Sequence, residues 1–123
     1  MKVYGMTNCM KTLKAIDWLN ENGIAFTFHD IRKMGVSAEK IDEWNSRAGF
    51  EKFLNKHIPT WTHLYPRERE LAVEACHALK LMGQKLSLIK RPVIESGRVL
   101  YFGFSDEDYR REILGESGEE NSE

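Results

Sequence analysis

The chain predicts an α/β fold, a four-stranded mixed sheet with helices packed on it and an all-helical insertion. Three observations carry this. Strand-like segments lie only near the two ends of the sequence. The stretch between them, about residues 31–88, shows helical apolar spacing and helix stop signals. The order of elements is βαβ at the start and ββα at the end, and a βαβ start makes its two strands parallel with a right-handed crossover. At 123 residues the chain is one domain by length. That domain is expected to span 1–114. Residues 115–123 are Gly, Ser, Asn and Glu only and are expected to be a disordered acidic tail.

Residues 2–5, Lys-Val-Tyr-Gly, form the first strand. The first helix starts near Cys9, with Thr7 or Asn8 as candidate N-cap. Leu13, Ile16 and Leu19, with Ala15 and Trp18, recur at helical spacing. Asn22-Gly23 ends this helix, as a C-terminal glycine does. Residues 25–29 alternate in part and give the second strand. Ser37 caps a helix with Ala38, Ile41, Trp44 and Ala48 on its apolar side and Gly49 at its end. Residues 50–54 add a helical turn, and 57–66, with Pro59 and Pro66, read as a loop.

Pro66 suits the first turn of a long helix over 67–82, ended by Gly83. Its buried stripe would be Leu71 or Ala72, Ala75, Cys76, Leu79 and Met82, which makes Cys76 a buried structural thiol. Residues 92–95 and 98–102 are strands flanking a Ser96-Gly97 hairpin loop. Ser105 caps the last helix, over 106–114, with Asp106, Glu107 and Asp108 in the first turn, where acids are favoured. Pro92 falls at the start of the third strand, where a cis bond would expose the preceding backbone to a bound substrate.

Net charge is −1, so no general pull toward nucleic acid or an anionic membrane is expected. No apolar run approaches the ~20 residues that cross a bilayer, and residues 1–6 lack the apolar core of a secretory signal. Two cysteines far apart do not form a secreted disulfide framework. These features point to a cytoplasmic protein with reduced thiols. The four histidines share no ligand spacing with the cysteines, so no metal site is expected. Lys52, Lys56 and His57 read as a wetted basic face, and Trp61 as a site wall or as packing under a loop.

Cys9 is the leading candidate for chemistry. It lies where the first strand turns into the first helix, among N–H groups without intrahelical partners and at the positive end of the helix dipole. Only about 3% of a free thiol, with its pKa of about 8.5, is thiolate at neutral pH. Making it mostly thiolate takes roughly 2.7 kcal/mol, whereas a helix terminus supplies about 0.3–1 kcal/mol and at best about 2. A cation is needed. Arg91 is the first candidate, since a guanidinium stays charged and its donors suit a thiolate or an oxyanion. Lys11 is nearer in sequence, but two positions along a helix point to different sides.

Gly-Met-Thr-Asn-Cys-Met-Lys at 5–11, Leu-Ile-Lys-Arg-Pro-Val at 88–93 and Gly-Phe-Ser-Asp at 103–106 resemble the ArsC/Spx family. Phe28-His29-Asp30, Leu54-Asn55 and Thr60-Trp61 make the chain most similar to its YffB-like branch. The resemblance covers about residues 1–114 and implies a thioredoxin-like fold with a helical insertion. Members include glutaredoxin-dependent arsenate reductases, which use a cysteine and several arginines, and Spx-type regulators, which usually carry Cys-x-x-Cys. This chain has Cys9 and Arg91, with Asn55 and Phe102 where the other arginines align, and Thr12 where a second cysteine would stand.

The resemblance thus implies a glutathione-dependent monothiol reductase, Cys9 attacking a disulfide, oxyanion or electrophilic substrate and Arg91 assisting. Thr7, Asn8, Lys11 and Pro92 are candidates to line the substrate or glutathione site. Glutathione is the expected co-substrate, or a glutaredoxin-type protein the thiol donor, and no cofactor is expected to be bound. The alternative is an Spx-like regulator that docks on RNA polymerase without catalysis.

Overall fold

The computed structural model describes residues 1–116. The chain divides into two compact units, one made of Met1–His29 with the residues from Arg91 onward, the other of Asp30–Lys90. Among the described residues no helix is long and apolar enough to cross a membrane.

The first unit is built on β1 (Lys2–Gly5), β2 (Thr27–Asp30), β3 (Val93–Ser96) and β4 (Val99–Phe102), a mixed sheet in the order β2-β1-β3-β4. This is the thioredoxin-like arrangement. β3 lies antiparallel to both β1, with Val3 opposite Ile94, and β4, with Ser96 opposite Val99. The register leaves Gly97-Arg98 as the two-residue hairpin loop, one position later than the sequence suggested. Gly97, at φ 52°, takes the left-handed conformation that such a loop requires.

The helices α1 (Met10–Glu21) and α7 (Asp106–Glu112) close one core with this sheet. Val3 and Ile94 meet Ala15, Trp18, Leu19 and Tyr109 there, all buried. Trp18 and Tyr109 stack edge to face with centroids 5.3 Å apart, and the Trp18 indole N–H donates to Asp106 Oδ1 at 2.6 Å. Tyr109 donates to the Gly103 carbonyl at 2.6 Å, so its burial leaves no polar atom unsatisfied. Ser105 caps α7 through its hydroxyl, which accepts from Asp108 N–H at 3.2 Å.

The second unit holds α2 (Ile31–Met34), α3 (Ala38–Ala48), α4 (Pro59–Thr62), α5 (Pro66–Leu71) and α6 (Ala75–Gln84), with 3-10 turns at Phe50–Lys52 and Leu86–Leu88. One isolated antiparallel bridge joins Leu54 to Ile89. Ser37 caps α3 by accepting from Lys40 N–H, and Gly49 stops it at φ 87°. The 57–66 stretch is not all loop, since Pro59 nucleates the single turn of α4 from its N1 position.

The expected long helix is broken. α5 ends at Leu71, and Glu74, at φ −98° and ψ 136°, is extended before α6 begins. The Ala72 N–H closes α5 on the Glu68 and Arg69 carbonyls. Helical phase is lost over these three residues, so the inward side of α6 carries Ala78, Leu81 and Met82, and Cys76 is exposed. Gly83 lies within α6 rather than after it. Of the expected tail at 115–123, positions 117–123 lie outside the described residues, while Glu116 N–H donates to the Arg110 carbonyl at 3.0 Å.

Candidate active site

The turn between β1 and α1 places Cys9. Its N–H donates to the Met6 carbonyl at 3.0 Å and its carbonyl accepts from Leu13 N–H at 3.1 Å. Cys9 is itself the N-cap of α1, with extended backbone at φ −103° and ψ 119°. Thr7 and Asn8 therefore do not cap the helix. They occupy the turn that the Met6–Cys9 bond closes, and both are exposed. The sulfur closes no geometric cap bond, yet the Thr12 hydroxyl and N–H stand near enough to favour its charged form.

Burial of Cys9 acts to raise its pKa. It is outweighed by hydrogen bonding from the Thr12 side chain, then from the Thr12 N–H, then from Arg91, together with the Arg91 charge. The thiol therefore ionises below the ordinary thiol value. Lys11 is exposed and is not among these influences. The structure thus brings Cys9 and Arg91 together, while Thr7, Asn8 and Lys11 are exposed. The Arg91-Pro92 peptide bond is cis, and Pro92 is buried, its carbonyl accepting from Gly103 N–H at 2.8 Å.

Thr12 is the residue sequence reasoning missed as a site residue. It is fully buried, the one polar side chain in the core among the described residues. It faces Gly5 so closely that a Cβ there would lie 2.5 Å from Thr12 Cγ2 and 2.7 Å from Oγ1. Its Oγ1 lies 3.5 Å from the Met6 N–H, which points that donor at a lone pair and leaves the hydroxyl proton for the sulfur. The available signal was its place three residues after Cys9, since the N3 residue of a helix faces the N-cap side chain.

Asn55 and Phe102, the positions where the resemblance leads one to expect the reductases' other arginines, make contacts of their own. The Asn55 Oδ1 accepts from His57 N–H at 2.9 Å, and Phe102 pairs with Val93 in the sheet. Trp61 is half-buried under the Lys56 ammonium, 5.4 Å from its ring centroid.

The model of the ArsC family matches residues 4–112. An uncharacterized protein of Haemophilus influenzae is 30% identical over 109 residues, covering 88% of this chain and 94% of its own length. Among solved structures, the YffB protein matches with a TM-score of 0.85 at 30% identity, over 91% of this chain and 97% of that one. An arsenate reductase (ArsC) related protein from Brucella melitensis is 37% identical, with a TM-score of 0.73 over 89% of this chain and 90% of its own. The family model spans nearly all of the described chain, and the relatives match it over most of their own length, so this chain belongs to the ArsC family.

Proposed function

We propose that the protein is a cytoplasmic monothiol reductase with Cys9 as nucleophile and glutathione as thiol donor. The observation that carries this is the placement of Cys9 with Thr12 and Arg91, whose hydrogen bonds and charge hold the thiol pKa below its ordinary value and favour the thiolate. In a glutathione mixed disulfide, the Cys9 thiolate attacks the glutathione sulfur. A Cys9–glutathione S–S bond forms as the substrate S–S bond breaks, and the departing substrate thiolate takes a proton from water. A second glutathione thiolate then attacks the Cys9-bound glutathione, which releases glutathione disulfide and restores the Cys9 thiolate. Net, the substrate disulfide is reduced and glutathione is oxidised.

Position 12 is threonine, so no thiol in the same helical turn resolves the adduct, and glutathione is the donor proposed for the second step. Arg91 stabilises the thiolate as nucleophile and as leaving group, and its fork of donors also suits a carboxylate of glutathione or an oxyanion substrate. Thr7, Asn8 and Lys11, exposed close to Cys9 in the chain, would contact the bound tripeptide, with Pro92 next to Arg91 as a further lining residue. The family membership and the ArsC-related relative support this reading.

The test is mass spectrometry after incubation with oxidised glutathione, followed by reduced glutathione. The expected result is a single adduct on Cys9 that the second incubation removes. No adduct at Cys9, or one on Cys76 alone, overturns the proposal. RNA polymerase recovered from a lysate equally by wild type and Cys9→Ser, with no adduct, would favour the regulatory reading instead.

A further inference from the structure

We infer that Glu74, Cys76 and His77 form a binding site for a divalent transition metal of the zinc class. It is independent of the chemistry proposed for Cys9. Each residue offers one donor atom, and the three donors lie within 4.8 Å of one another. The Glu74 carboxylate already meets His77 Nε2 at 3.5 Å. The third donor is the Glu74 carboxylate, which the spacing of cysteines and histidines alone does not reveal.

The local fold explains the convergence. The break between α5 and α6 leaves Glu74 extended as the N-cap of α6, with Cys76 and His77 in the first turn of that ten-residue helix. The carboxylate thus folds back over its own helix start. The three side chains are exposed and can close from their present spacing to the roughly 3.5 Å that separates tetrahedral zinc ligands. One carboxylate and one thiolate neutralise a divalent cation, and metal binding itself displaces the thiol proton. Sulfur, nitrogen and oxygen together suit zinc or cobalt(II) rather than magnesium or calcium, and three protein ligands leave a fourth position for water.

The probe is Co²⁺, read by its thiolate charge-transfer absorption, with Zn²⁺ affinity measured by competition against a chromophoric chelator. One equivalent of Co²⁺ should give the band in wild type and in Cys9→Ser, and none in Cys76→Ser. Zn²⁺ affinity should fall at least ~10-fold in Glu74→Gln and in His77→Ala. The inference is overturned if wild type shows no band, if the band survives Cys76→Ser or depends on Cys9, or if the Glu74 and His77 variants bind as tightly as wild type.

Discussion

Replacing Thr12 by valine removes one hydroxyl from beneath the Cys9 sulfur and nearly preserves shape. A hydrogen bond to a charged group contributes about 1.5–3 kcal/mol. Cys9 is half-buried, so water replaces part of what is lost, and the Thr12 N–H and Arg91 remain in place. The lower figure, about 1.5 kcal/mol, is roughly tenfold in the thiolate fraction below the midpoint of ionisation. A more basic thiolate is also a better nucleophile, with a Brønsted slope of about 0.4–0.5, which returns roughly threefold. The net expectation has three parts. Alkylation of Cys9 at pH values well below its midpoint slows roughly threefold, the midpoint moves to higher pH, and the alkaline plateau rises roughly threefold. The assay is the pH profile of alkylation in a Cys76→Ser background, because Cys76 is exposed and would be labelled as well. Thr12→Ser should restore the wild-type profile. A Thr12→Val profile that superposes on wild type would refute the assignment.

Arg91→Ala should likewise move the Cys9 midpoint to higher pH and Arg91→Lys recover part of the difference. Unchanged profiles would remove Arg91 from the site. Gly5→Ala puts a methyl 2.5 Å from Thr12 Cγ2, which is locked in the core, so thermal unfolding should show a loss of about 1–3 kcal/mol; an unchanged melting temperature would contradict the close packing. Asp106 is held below the usual carboxylate range by Arg110 and then by Trp18, and Asp108 by Tyr101 and then by Arg111. The unfolded chain therefore takes up these protons first, and stability falls as pH drops from the ordinary carboxylate value through the lower folded one. Urea titrations at descending pH should show that loss reduced in Asp108→Asn, and an identical acid profile would count against the pairing.

Much of this fold could be read from residue pattern because its boundaries carry local chemistry. Ser37, Ser105, Gly23 and Gly49 act within one turn of their own position, through a cap bond or a left-handed φ, and each ends or starts a helix where the sequence indicated. Cys9 and Arg91 were legible for a similar reason, since a strand-to-helix junction and an Arg-Pro pair are short signals. The break at residues 72–74 was not. No proline or glycine marks it, and the apolar residues from Leu71 to Met82 keep an acceptable helical spacing across it. The phase slip is set by Ala72 closing α5 and by Glu74 restarting α6, and it turned Cys76 from an apparent core residue into an exposed one. Thr12 was hidden differently. A threonine on a buried helix face looks like ordinary core, and its tie to the sulfur depends on side-chain direction, which residue type does not encode.

The two cysteines of one molecule provide the sharpest comparison. Limited labelling of the metal-free protein at neutral pH with a small alkylating agent, read by peptide mass spectrometry, ranks Cys9 against Cys76 under identical conditions. Cys76 is the more accessible of the two, so simple exposure would have it react first. Activation of Cys9 by Thr12 and Arg91 predicts that Cys9 is modified first despite its partial burial. Faster modification of Cys76 would contradict the account.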